Sequence, residues 1–139
     1  MYKYILVAVD GSEHAMRATK EAIKLAQYCK ETVIDLVYVA DSHQTRLDVL
    51  HASSLDTVAL ERRQRIRPYE IALEEAGIQF KSTILKGQPG PTIVTYANDH
   101  EVDLVVIGSR GLNKVQEMVL GSVSHKVMKR VNCPALIVK

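Results

Sequence analysis

The sequence has no tryptophan, one phenylalanine and two cysteines in 139 residues. Few aromatics imply an aliphatic core. Cys29 and Cys133 each lack a second cysteine two or three positions away, which excludes a paired-cysteine metal site, and both are expected to be small buried hydrophobes. Charge of one sign is also scarce. Eighteen basic against 16 acidic residues leave a formal net charge of +2, and no basic face interleaves with aromatics, so nucleic acid is not an expected partner. The run Glu61 to Arg67 is basic, but helical phase spreads its charges over an outer face. No apolar run is long enough to span a bilayer. Met1 leads directly into an apolar strand without a charged leader or cleavage site. The expected setting is cytoplasmic, with no membrane. Two phosphate-binding signatures are absent as well: there is neither a P-loop lysine motif nor a Gly-x-Gly-x-x-Gly fingerprint. The five histidines show no metal-ligand spacing and accompany no nucleophile motif, so surface positions are expected for them.

What the sequence does contain is regular alternation. Hydrophobic residues make up 47% and charged residues 24%, an ordinary balance for one globular domain over residues 1–139. A chain of this length buries roughly two-thirds of its unfolded surface. Residues 3–9 read as a buried strand ending at Asp10-Gly11-Ser12, where Ser12 can cap a helix striped by Ala15, Ala18, Ala22, Leu25, Ala26 and Cys29. Val33 to Val39 is a second strand, interrupted only by Asp35. Asp41 to Asp56 is polar and reads as a loop or helix entry. A helix from about Thr57 to Ala76 follows, with Ala59, Ile66, Tyr69, Leu73 and Ala76 inward and Gly77 as its stop. Ile78 to Leu85 alternates like an edge strand. Beyond the breaker cluster at 87–91, Thr92 to Asn98 is a short helix and Asp103 to Ile107 a strand. A last helix from Gly121, striped by Val123, Val127 and Val131, precedes the strand Ala135 to Val138.

Strict β-α alternation predicts an α/β fold: an open five-stranded parallel sheet, Rossmann-like, with helices on both faces and right-handed crossovers. Placing the two apolar strands that end at Asp10 and Gly108 side by side gives strand order 3-2-1-4-5. The crevice at the switch point then lies between strands one and four, where open α/β sheets bind ligands. Gly108-Ser109-Arg110-Gly111, followed nine residues later by Gly121-Ser122, fits such a place. Glycines allow a sharp turn and close backbone approach to an anion, and the first amides of the following helix lack intrahelical acceptors. Taken alone, the same glycines can be simple turn and cap positions.

Ile5 to Ser12, Val106 to Gly111 with Gly121-Ser122-Val123-Ser124, and Cys133 to Val138 together resemble the universal stress protein family, in its nucleotide-binding branch. The resemblance spans essentially the whole chain. It implies ATP in the crevice, accompanied by magnesium, with phosphates on Gly108, Ser109, Arg110 and Gly111 and on the amides and hydroxyl at Gly121 and Ser122, continuing into Val123 and Ser124. It places Asp10, with Gly11 and Ser12, near the ribose or a phosphate-associated metal, and the backbone of Val39 against adenine. It also implies a homodimer formed through the final strand, Ala135 to Val138, which would otherwise leave an apolar sheet edge bare.

The residues themselves leave alternatives. Asp10 is a turn former or a pocket group, Ser122 a helix-terminal residue or a phosphate ligand, and Arg110 a phosphate contact or a solvated side chain. No general base is paired with a phosphate-stabilising lysine and a metal-binding carboxylate in the arrangement of fast NTPases, so the expectation is an ATP-holding, switch-like protein that hydrolyses slowly at most and is recognised by a protein partner the sequence does not identify. The competing reading is an interaction or chaperone-like module whose glycines are structural.

Overall fold

The structure is a computed structural model that describes residues 1–41, 55–111 and 120–139. Its elements run β1 (Tyr4–Val9), α1 (Glu13–Ala26), β2 (Val33–Ala40), α2 (Leu55–Glu75), β3 (Gln79–Lys86), α3 (Pro89–Asp99), β4 (Leu104–Gly108), α4 (Ser122–Arg130) and β5 (Ala135–Val138). The five strands form one parallel sheet in the order β3-β2-β1-β4-β5, as the alternation predicts. Central β1 pairs Val9 with Tyr38 of β2 and Ala8 with Ile107 of β4, so three strand ends meet at one rim.

Central strands buried on both sides have near-continuous apolar sequence, as β1 and β4 do. Successive side chains supply two cores. Ile5, Val7 and Val9 point to a core closed by α1 and α2 through Ala18, Ala22, Ile66, Tyr69 and Leu73. Leu6 and Ala8 point to the other, closed by α3 and α4 through Ile93, Ala97 and Val127. Small alanines on α1 let that helix lie close to the sheet, and Ser12 caps it by accepting the Ala15 amide at 3.1 Å.

The structure differs from the sequence reading at several places. The inward stripe of α2 begins at Val58, 3% exposed, whereas Ala59 is exposed and Ala76 half-buried. The start of α3 lies at Pro89, three residues ahead of Thr92: a proline at the first helical position loses no hydrogen bond, because that amide has no intrahelical acceptor in any case. Cys29 and Cys133 are half-buried. Most of the polar stretch from Asp41 to Asp56, including His43 and His51, lies outside the described residues, as does 112–119. His100 and His125 are exposed as expected, but His14 is half-buried at the start of α1.

Candidate functional site

The rim above β1, β2 and β4 is built from three turns. The first leaves β1 at Asp10. Gly11 takes φ +93°, a conformation that favours glycine, and the Ser12 amide turns back to donate to Asp10 Oδ1 at 2.9 Å. The Ser12 hydroxyl is engaged by the α1 cap, so Ser12 contributes to the rim through its backbone. Behind this turn, Tyr69 of α2 donates its hydroxyl to the Ser12 carbonyl at 3.0 Å.

The second turn leaves β4. Gly108 is buried, and a Cβ there would sit 2.8 Å from the His14 Cβ and 2.9 Å from its carbonyl carbon. The requirement for glycine therefore comes from α1 packing against the strand. The Ser109 amide prolongs the sheet by donating to the Val138 carbonyl at 2.7 Å. Gly111 closes the turn directly against Asp10, since a Cβ there would run into Asp10 Oδ2. Two turns separated by about a hundred residues of sequence thus touch. Arg110, within the second turn, is half-exposed.

The third turn enters α4. Gly121 is its N-cap, with no side-chain cap, and its amide donates to the Ser109 carbonyl at 2.7 Å. The sequence reading had that amide facing an anion; the structure has it tying the α4 entry to the β4 turn. The Ser124 hydroxyl, buried at 2% exposure, reinforces the same tie by donating to the Ser109 and Gly121 carbonyls, each at 3.0 Å. Ser124 therefore also acts on the rim through its backbone. The amides of Ser122, Val123 and Ser124 occupy the first turn of α4 and find no acceptor among the described residues. Ser122 itself is exposed at the first helical position, and Val123 packs on the second core.

Val39 of β2 stands half-buried on the face of Ala8, Ile107 and Val123, at the level of the Asp10 turn. The predicted residues thus gather at one end of the sheet. An apolar wall at Val39 is followed by a carboxylate at Asp10, a narrow glycine turn and three helix-terminal amides that carry the positive end of the helix dipole. Among the described residues no group of three or more His, Cys, Asp or Glu is placed to hold a metal ion. A separate groove of about 380 Å³ runs beside Leu85, Thr92, Tyr96 and His100, and none of its lining residues belongs to this rim.

Sequence reasoning missed two residues. Tyr69 reads as a core position, but its hydroxyl reaches the Asp10 turn. Asp35 reads as an interruption of β2, yet it is fully buried and accepts hydrogen bonds from Tyr4 at 2.8 Å, Thr83 at 2.7 Å and Tyr96 at 2.7 Å. The signal for Asp35 was the polar residue itself, because a carboxyl inside a parallel sheet requires donors.

The fold is a doubly wound parallel α/β sheet with a glycine-lined crevice at its switch point, the place where open sheets of this kind bind ligands. The chain belongs to the universal stress protein family, whose sequence profile matches residues 1–139. It is 33% identical to the universal stress protein YxiE of Bacillus subtilis, with all of both chains covered. The solved structure of protein MJ0577 superposes with a TM-score of 0.87 at 31% identity, covering 100% of this chain and 96% of that one; a universal stress protein MJ0577 is recorded from Methanocaldococcus jannaschii. A universal stress protein from Archaeoglobus fulgidus, solved in complex with dAMP, matches with a TM-score of 0.75 at 21% identity, covering 99% and 98% of the two chains. Other solved family members are complexes with cAMP or with AMP. Among the described residues no helix is long and apolar enough to cross a membrane.

Proposed function

We propose that the chain holds an adenine nucleotide, ATP in particular, in the crevice between β1 and β4 and acts as a nucleotide-dependent switch with slow or no hydrolysis. The observation that carries this reading is the convergence of the Asp10 turn, the Gly108–Gly111 turn and the three first-turn amides of α4. Helix-terminal amides with no acceptor among the described residues suit a phosphate, and Gly111, with no side chain of its own, brings the β4 turn against the Asp10 carboxylate at the same rim. The family's complexes with dAMP, cAMP and AMP share the adenine end, which matches an apolar wall at Val39 followed by a polar rim. In this reading the α4 amides and Arg110 take phosphates, Asp10 takes the ribose or a cation, and Val39 faces the base. Magnesium would arrive on the phosphates, with Asp10 as the nearby carboxylate among the described rim residues.

Slow turnover follows from the residues at the rim. Asp10 is engaged with the Ser12 amide and packed on Gly111, and no lysine stands among the described rim residues to stabilise a transferring phosphoryl group. Calorimetric titration with ATP, ADP and AMP, with and without magnesium, tests the binding. Saturable binding that strengthens with phosphate number supports the assignment, and absence of heat at millimolar ATP refutes it. Single-turnover hydrolysis at the pace of dedicated ATPases would refute the switch. Next to β4, β5 is an edge strand whose Leu136 is 37% exposed, and we expect two copies to pair there; a monomer by light scattering at micromolar concentration would overturn that pairing.

A further inference from the structure

We propose that Tyr69 is a positioning residue for the crevice, acting through the Asp10 turn, which it holds from α2. The inference rests on the assignment of that crevice to an adenine nucleotide. Tyr69 is 2% exposed, and its hydroxyl donates at 3.0 Å to the carbonyl of Ser12, 57 residues away in sequence. The next link is the Ser12 amide, which donates to Asp10 Oδ1, and the last is Asp10 Oδ2, which lies against Gly111. A chain of three contacts therefore joins α2 to the turn after β4.

The Ser12 carbonyl already accepts the Met16 amide at 3.2 Å, so α1 does not need the phenol to satisfy its first turn. The turn, in contrast, has a soft point. Gly11 has a positive φ and open space where its Cβ would be, so it has no side chain of its own to pack and hold the turn. A buried donor clamping the next residue limits how far this hinge swings, and with it where the Asp10 carboxylate points. The electrostatics agree with the geometry. Burial, and then the nearby Asp10 charge, push the Tyr69 hydroxyl up to about 12, while the Gly11 backbone acts in the opposite sense. The hydroxyl is thus a neutral donor over the whole physiological range.

The test compares Tyr69→Phe with Ile66→Val in the full chain. Ile66 is fully buried one turn earlier on the same face of α2 and touches the core without reaching the turn. Both variants are expected to fold and to lose similar stability. ATP affinity, measured by titration well below either melting temperature, should fall about fivefold or more in Tyr69→Phe, as for loss of one buried hydrogen bond, and stay within about twofold of wild type in Ile66→Val. In an Asp10→Ala background the Tyr69→Phe effect should shrink below about twofold, because the group it positions is gone. Hydrogen exchange of peptides covering residues 9–13 in the nucleotide-free protein should quicken in Tyr69→Phe alone, which reads the clamp without any ligand. Unchanged affinity in Tyr69→Phe, or an undiminished effect in the Asp10→Ala background, overturns the positioning role. Wild-type protein that binds no adenine nucleotide overturns the crevice assignment instead, and the exchange measurement then shows whether the clamp exists independently.

Discussion

Asp10 follows β1 and Asp35 lies in its neighbour β2, one at the rim and the other inside the sheet. Asp35 is fully buried near the start of β2, level with Leu6 of β1 and Lys81 of β3. Hydroxyls from β1, β3 and α3 donate to it, and Lys81 Nζ stands 3.6 Å away on the exposed edge. Asp10 lies just past the end of β1, half-exposed, bonded to the Ser12 amide and touching the glycine turn of another strand. Low dielectric makes an incompletely paired polar group costly inside a sheet, so an interior carboxyl comes with a full set of donors. At a strand end water shares the cost, and a carboxylate can face a ligand. Enclosure by donors from three elements marks Asp35 as architectural, while its place at the rim is what makes Asp10 a ligand contact in the proposed function.

The largest expected effect sharpens this contrast. Asp35→Ala leaves three hydroxyls from three different elements without their common acceptor and opens a hole in the sheet, at about 3–5 kcal/mol of folding stability by urea denaturation. The folded fraction should bind ATP as wild type does. A loss below about 1 kcal/mol would mean the hydroxyls find other acceptors, and a parallel loss of affinity would break the division between architecture and function.

Next in size is Gly108→Ala. The added methyl meets the backbone of α1 at His14, which cannot rotate away as a side chain can, so the helix must shift. Overpacking of this kind costs about 1–3 kcal/mol, read as a lower melting temperature. The substitution separates the two meanings of the Gly-x-x-Gly pattern. Gly108 serves helix packing, whereas Gly111 serves the contact with Asp10. A Gly108→Ala protein with unchanged stability would show that the loop, and not α1, sets the requirement.

Much of the architecture is legible in the sequence because it depends on local periodicity. Strict alternation of apolar strands with striped helices points to the parallel sheet, setting its two most apolar strands side by side points to the strand order, and that order brings Asp10, Val39 and Gly108 to one rim. The Ser12 cap is likewise a local signal, and it is present. What escaped depends on partners far away in the chain. Tyr69 satisfies the helical stripe whatever its hydroxyl does, so periodicity cannot show a bond to residue 12. The glycine at 108 looks like a phosphate turn until α1 is laid against it. The Gly121 amide looks unpartnered until the Ser109 carbonyl arrives from another turn. At α3 the difference has another source: Pro89 and Pro91 read as breakers in the sequence, although the first turn of a helix is where proline is tolerated.

Alkaline pH tests the surroundings of both aspartates together. Tyr4, beside Asp35, has its hydroxyl raised well above the ordinary tyrosine value by burial, with its hydrogen bonds to Tyr96 and Asp35 adding to the shift. Tyr69, beside Asp10, is raised from 10.0 to about 12. For each, the unfolded chain ionises first. The stability due to the neutral hydroxyl is therefore complete below pH 10 and declines as pH rises toward the folded value. For Tyr69 the decline amounts to about 1.4 kcal/mol at pH 11. Urea unfolding at pH 8 and pH 11 should show wild type losing more stability than Tyr69→Phe or Tyr4→Phe. Identical pH dependence in all three proteins would mean neither hydroxyl is held neutral by the fold.

The smallest effect on stability is expected at Asp10, and it completes the comparison. Asp10→Ala removes the acceptor of the Ser12 amide, but the position is half-exposed and water can take the lone pair's place. The Ser12 cap on α1 is unaffected, because it uses the hydroxyl. Stability should therefore change by less than about 1 kcal/mol, against several for Asp35→Ala. Affinity for ATP with magnesium should fall about tenfold, the equivalent of one charge-assisted contact to the ribose or to the cation. The sign of the change is the informative part. A carboxylate that only faced phosphates would repel them, and its removal would tighten binding, most of all without magnesium. Weaker binding places Asp10 at the ribose or the cation. Tighter binding makes it a brake on nucleotide affinity, and the Tyr69 clamp would then hold that brake in place.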